Sequence, residues 1–126
     1  SELERYLAEE AARRGITPVP ELQPEKGHFY RSDHFVFAQA GVPALYLKTG
    51  IDDLDGGIAA GQAREAEYVA QRYHQAGDNY TPGVQLGAGL EVVDLLYAIG
   101  ERLANETTFP NWNEGNGFRA VRDRSR

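Results

Sequence analysis

The sequence predicts an α/β protein, and three patterns support this fold class. Residues 86–104 carry a wide apolar stripe at helical spacing, with acidic residues on the opposite side. Residues 44–47 form a short apolar run that Pro43 precedes, which is typical of a strand buried on both faces of a sheet. A helical pattern at 35–40 comes directly before that run, and a helix followed closely by a strand favours a layered α/β unit.

The first 27 residues predict one helix and then a loop. Leu3, Tyr6 and Leu7 recur at helical spacing in 1–14, and Gly15 is placed to end that helix. Three prolines follow between residues 16 and 27. Because each proline removes a hydrogen-bond donor, this stretch allows at most a short edge strand at 16–19.

Later segments predict a second helix, a long loop and a tail. Ser32 or Asp33 offers an N-cap to the short helix at 35–40. The stretch 49–62 is rich in Gly and Asp, so we expect a long surface loop there. Residues 107–126 show no periodicity and are expected to form an extended C-terminal tail.

Composition excludes several classes of protein. The chain has 126 residues, a net charge of −6 and no cysteine, so we expect neither a nucleic-acid partner nor a thiolate zinc site. No apolar stretch approaches the roughly 20 residues of a membrane helix, so no membrane partner is expected. The sequence also lacks methionine, which predicts a processed or excised piece of a longer protein.

Two clusters contain the residues best suited to chemistry. His74 follows a phenol, Tyr73, and precedes a carboxylate, Asp78, by four residues. A metal-bound histidine commonly donates its second ring N–H to a carboxylate, and a phenol can donate to a polarised carbonyl. One histidine is not a metal site, since zinc takes three or four protein ligands.

The second cluster, residues 29–35, places Arg31, Asp33 and His34 between aromatic residues just before a predicted helix. The guanidinium of Arg31 presents paired N–H donors, which suit a carboxylate at the charged end of a substrate. The alternative is structural: Ser32 and Asp33 cap the helix, and Arg31 pairs with Asp33.

Together the two clusters resemble the C-terminal part of the dinuclear-zinc aminopeptidase family, which includes glutamate-carboxypeptidase-like and glutaminyl-cyclase-like members. The resemblance rests on Ser-Asp-His followed by Ala-Gly-Val-Pro-Ala at 32–44, and on Tyr-His-x-x-x-Asp at 73–78. It implies a three-layer α/β/α zinc-peptidase domain with a mixed central sheet, incomplete in this chain.

The resemblance also implies roles for individual residues. His74 would be the last of five protein ligands to a pair of zinc ions, and Tyr73 would steady the oxyanion of the tetrahedral intermediate. Arg31 would lie near the carboxylate of the bound peptide. The residues implied to orient the site are Asp33, His34 and Asp78.

The chain departs from the family pattern in its other ligands. The family's H-x-D segment, bridging Asp and Glu-Glu pair have no counterpart, since the only Glu-Glu, Glu9-Glu10, lies in a predicted helix with different surroundings. We therefore expect residues 1–126 to be the C-terminal portion of a zinc aminopeptidase domain, inactive alone, with zinc absent or incompletely bound.

Two alternatives stay open at this stage. A metal-free binding or dimerisation domain of the same fold is one, and an unrelated small α/β protein is the other. The resemblance further implies a peptide substrate and a secreted or periplasmic location. Apolar surface left uncovered by missing chain predicts self-association.

Overall fold

The computed structural model describes residues 1–125, which form two compact units. One unit comprises Ser1–Leu47 together with the described residues from Val93 onward, and the other is Lys48–Val92. No helix in the described part of the chain has both the length and the apolar character needed to cross a membrane. The α-helices of the described residues are α1 (Leu3–Arg13), α2 (His34–Gln39), α3 (Gly57–Gln71), α4 (Gly87–Asn105) and α5 (Arg119–Arg124), with 3₁₀ turns at Pro24–Lys26 and His28–Arg31.

The predicted α/β fold is wrong for residues 1–125, because they contain helices and no β-sheet. The segments 16–19 and 44–47, predicted as strands, are irregular. A strand requires a neighbour to satisfy its backbone N–H and C=O groups, and the described residues offer only an isolated bridge between Asp53 and Gly57. Leu45 and Leu47 instead pack their side chains against a helical core. The predicted mixed central sheet is therefore absent from this part of the chain.

The core of the first unit is the contact between α1 and α4, which confirms both predicted helices. Their apolar residues recur every three or four positions, so each helix presents one apolar face. Burying a large apolar side chain contributes about 1.5–3 kcal/mol, so this cluster supplies much of the unit's stability. Its buried members are Leu3, Tyr6, Leu7, Ala11, Leu95 and Ile99.

A polar network covers one edge of this core. The phenol of Tyr6 donates to Glu106 at 2.7 Å, and the Arg102 guanidinium bonds Glu106 at 2.8 Å and Glu9 at 2.5 Å. The hydrogen bond to Glu106 raises the pKa of Tyr6, and the hydrogen bonds from Tyr6 and Arg102 lower the pKa of Glu106. The Arg102 guanidinium also lies 4.4 Å from the centre of the Tyr6 ring, so α1 and α4 are joined by charge as well as by packing.

Trp112 anchors the predicted tail in the same unit. Its side chain is 2% exposed, and its indole N–H donates to the carbonyl of Gly41 at 3.0 Å. Gly41 has φ +84°, and a Cβ there would lie 2.7 Å from the backbone nitrogen of Arg122, so only glycine fits. The predicted extended tail, 107–126, thus contains an irregular stretch followed by α5, while Arg126 lies outside the described residues.

The second unit is built on α3, which corrects the predicted loop. The sequence predicts a loop over 49–62, but the helix already begins at Gly57. Gly61 lies directly beneath the carbonyl of Ile51, where any side chain would collide. Asp53 pairs with Arg64 of the helix, and its pKa is lowered by the backbone N–H of Asp55 and by this pair. These contacts therefore hold the loop that begins at Ile51 against α3, the helix that follows it.

Candidate functional site

Tyr73 and His74 lie in the turn that ends α3. The helix stops at Gln71, and the amides of Arg72 and Tyr73 both donate to the carbonyl of Tyr68, each at 2.9 Å. The next residue, His74, has φ +58° and is the one non-glycine residue with positive φ in the described chain. Residues with a Cβ adopt this left-handed conformation only where the surrounding structure imposes it.

The side chains of this pair are exposed and in contact with each other. The His74 imidazole stacks on the Tyr73 ring, with centroids 3.8 Å apart and planes 21° apart. Tyr73 is 48% exposed, so a substrate or metal ion can approach both groups from solvent. The sequence motif therefore corresponds to a single accessible pair of a phenol and an imidazole.

Asp78 lies at the far side of the same turn, where its partner is a tyrosine. The phenol of Tyr68 donates to Oδ2 of Asp78 at 2.8 Å, and this bond raises the pKa of Tyr68. The Tyr68 ring also lies 6.0 Å from that of Tyr73. Sequence reasoning missed Tyr68, since nothing in a lone tyrosine ten residues before Asp78 marks it.

Arg72 closes the loop after the turn, and sequence reasoning missed it too. Its guanidinium donates to the carbonyl of Asn79 at 2.9 Å and to the hydroxyl of Thr81 at 3.2 Å. These bonds join the end of α3 to the chain beyond Asp78. The tripeptide Arg72-Tyr73-His74 is thus anchored on both sides.

The second predicted cluster lies in the first unit. Arg31 is exposed at the end of a 3₁₀ turn, and Asp33 occupies the N-cap position of α2 without a side-chain capping bond. The Ser32 hydroxyl donates to the carbonyl of His28 at 2.7 Å instead. No ion pair joins Arg31 to Asp33 among residues 1–125. The described residues therefore form neither the side-chain cap on α2 nor the ion pair between Arg31 and Asp33 that the structural alternative requires.

His34 is the most enclosed member of this cluster. Its ring lies 4.7 Å from Phe29 and 5.1 Å from Tyr46, and its Nε2 is buried with no hydrogen-bond partner in the described chain. Buried polar atoms are usually satisfied. The imidazole thus keeps an unused hydrogen-bonding position.

The predicted site residues fall into two sets. Each set is assembled within its own unit. Neither set resembles a metal centre: among residues 1–125, no group of three or more His, Asp or Glu side chains could hold an ion. Because zinc takes three or four protein ligands, the described residues do not form a zinc site by themselves. The sets are Tyr73, His74 and Asp78 in the second unit, and Arg31, Asp33 and His34 in the first.

Comparison with known proteins gives one family. The model of a family described as Peptidase family M28 matches residues 1–98. All six predicted site residues lie within the matched range, which covers more than half of the chain. No curated protein and no solved structure matches the sequence.

Proposed function

The chain belongs to peptidase family M28, and from this premise we propose that it supplies part of the catalytic site of a zinc-dependent aminopeptidase. The observation that carries the proposal is the exposed, stacked Tyr73–His74 pair at the end of α3, inside the matched residues. In this proposal His74 is one zinc ligand. The substrate is a peptide, cleaved at its N-terminal bond.

The chain's other predicted residues take supporting roles in this proposal. The Tyr73 phenol donates a hydrogen bond to the oxygen on which negative charge develops, a type of contact that stabilises acyl-transfer transition states. Arg31, whose guanidinium is exposed, lies near the carboxylate of the bound peptide. The residues proposed to orient the site are Asp33, His34 and Asp78.

The remaining metal ligands and the general base come, in this proposal, from residues outside these 126. The support is the ligand count, since no group of three potential ligands exists among the described residues. A single imidazole binds zinc too weakly to hold a catalytic ion at neutral pH. The isolated chain is therefore proposed to be catalytically incomplete.

We expect the isolated 126-residue chain to show no aminopeptidase activity. The measurement is release of p-nitroaniline from aminoacyl-p-nitroanilides, with and without an excess of added zinc. The expected rate equals that of the buffer with zinc. Hydrolysis above this rate that disappears in His74→Ala would show that the chain assembles a complete site, contrary to the proposal.

A second candidate is a metal-free binding or dimerisation domain. What favours it is the large amount of apolar surface in the first unit, together with the missing ligands. Phe37 of α2 is 62% exposed and Tyr97 of α4 is 69% exposed. Val36 and Val93, also on these helices, are similarly exposed. Where exposed apolar side chains are contiguous, they commonly mark interaction surfaces.

We expect the chain to self-associate through these exposed apolar side chains. Sedimentation velocity across a hundredfold concentration range measures it directly, and the weight-average sedimentation coefficient should rise with concentration. Phe37→Lys and Tyr97→Lys should each weaken association, whereas Tyr80→Lys, at an exposed tyrosine of the other unit, should not. A monomeric profile at the highest concentration would contradict the expectation.

The upstream coding sequence discriminates the two candidates. An H-x-D segment followed by Asp and Glu-Glu residues supports the peptidase, and their absence supports the binding domain. We also propose a secreted or periplasmic location, by analogy with the family resemblance, and no nucleic-acid or membrane partner. Fractionation of cells that produce the protein, with detection in each compartment, tests the location.

A further inference from the structure

Tyr68 contacts both ends of the turn that carries Tyr73 and His74. Its backbone carbonyl accepts the amides of Arg72 and Tyr73, and its phenol donates to Asp78 at 2.8 Å. One residue in the last turn of α3 thus binds the chain before His74 and the chain after it. The three residues between His74 and Asp78 have little freedom while both contacts hold.

The backbone of His74 needs such support. Its φ of +58° brings the Cβ close to the following carbonyl, which an L-residue avoids when it is free to do so. Other contacts hold the near part of the turn: the amide of Gln75 donates to the carbonyl of Arg72, its side-chain amide donates to the carbonyl of Ala70 in α3 at 3.0 Å, and the amide of Asp78 donates to the carbonyl of Gln75. None of these ties the far end of the turn, at Asp78, directly back to the helix. The bond from Tyr68 to Asp78 does, as do the contacts of Arg72 with Asn79 and Thr81.

We propose that Tyr68 is a positioning residue, whose hydroxyl bond to Asp78 keeps His74 in its left-handed conformation with the imidazole stacked on Tyr73. Since the direction of an imidazole decides which ring nitrogen faces a ligand, Tyr68 sets the orientation of the group that the peptidase would use. The importance of that orientation for catalysis rests on the proposed function. The conformational effect does not.

The test compares Tyr68→Phe with the natural sequence in the full 126-residue chain by NMR. The substitution keeps the ring and the backbone carbonyl and removes only the hydroxyl. A typical hydrogen bond is worth roughly a fivefold change in an equilibrium, so hydrogen exchange of the Tyr73 amide should become roughly fivefold faster. The ring-current shift of the His74 imidazole protons and the strong intraresidue HN–Hα contact of positive φ should both weaken.

Matched variants separate positioning from general stability. Tyr80→Phe removes a hydroxyl from the same unit, where Tyr80 is 79% exposed, and should leave all three signals unchanged. Asp78→Asn keeps an oxygen that accepts from Tyr68 and should stay close to the natural chain, whereas Asp78→Ala should behave as Tyr68→Phe. The thermal midpoint of Tyr68→Phe, followed by circular dichroism, should fall by no more than about 5 °C, the shift that a fivefold change produces in a chain of this length.

Three results would overturn the proposal. One is a Tyr68→Phe chain with unchanged Tyr73 exchange and unchanged His74 signals. Another is the same change in Tyr80→Phe, and the third is an Asp78→Asn chain indistinguishable from Asp78→Ala. The proposed function has a separate readout, which is loss of zinc from the complete enzyme in His74→Ala, so either inference can fail without the other.

Discussion

Replacing His74 by alanine should lower kcat/KM by at least about a thousandfold in a form of the protein that carries the complete ligand set. The reason is the proposed role of His74 as a zinc ligand: removing a protein ligand from a catalytic zinc site disturbs the coordination on which activation of water depends. Zinc content, measured by inductively coupled plasma mass spectrometry, should fall along with activity. Because the His74 side chain is exposed and its ring stacks only on Tyr73 among the described residues, folding should survive the change.

Two matched variants sharpen this result. Tyr73→Phe should retain all the zinc yet lose about a hundredfold or more in kcat, since the proposed function has the phenol donate to the oxyanion and not bind the metal. His28→Ala removes a histidine outside the predicted site and should change neither quantity. Full zinc content and activity in His74→Ala would remove His74 from the ligand set and with it the proposed function.

Replacing Trp112 by alanine should destabilise the first unit by about 3–5 kcal/mol, the usual cost of removing a buried tryptophan. Its side chain is 2% exposed and contacts the rings of Phe29 and Phe118. The change also leaves the carbonyl of Gly41 without the indole donor. Urea unfolding followed by circular dichroism at 222 nm measures the loss, because the variant has no tryptophan left for fluorescence.

Two further variants keep this expectation testable if Trp112→Ala does not fold. Trp112→Phe keeps most of the apolar volume and loses the N–H, so it should cost about 1–2 kcal/mol. Tyr97→Ala removes an aromatic ring that is 69% exposed in the same unit and should cost less than about 1 kcal/mol. A Trp112→Ala chain no less stable than Tyr97→Ala would show that the indole is not the anchor of this region.

Local patterns predict α1, α2 and α4, because the information for these helices lies within a few residues. The spacing of Leu3, Tyr6 and Leu7 gives α1 its buried face, and the stripe ending at Leu103 gives α4 its own. The sequence does not predict α3, because Gly56, Gly57 and Gly61 are typical of loops. Its alanines favour a helix, and Gly61 is accommodated because the Ile51 carbonyl needs that space.

The sheet was wrongly predicted because a strand depends on partners that its own sequence does not contain. The run 44–47 has the composition of a buried strand, but without a neighbour its leucines join the helical cluster. The candidate site likewise has a part that local sequence predicts and a part that depends on the fold. The pair Tyr73–His74 could be found from its motif, whereas the positive φ of His74 and the bond from Tyr68 to Asp78 depend on the path of the chain.

The contact between α1 and α4 also constrains the order in which the chain folds. Leu3 and Leu95 belong to one cluster, so the core of the first unit closes a loop of about ninety residues that contains the whole of Lys48–Val92. During synthesis α1 leaves the ribosome before α4. It therefore cannot bury its apolar face until α4 has also emerged. The second unit is contiguous in sequence and has no such delay, so its turn at Tyr73 and His74 can form before the core that completes the first unit.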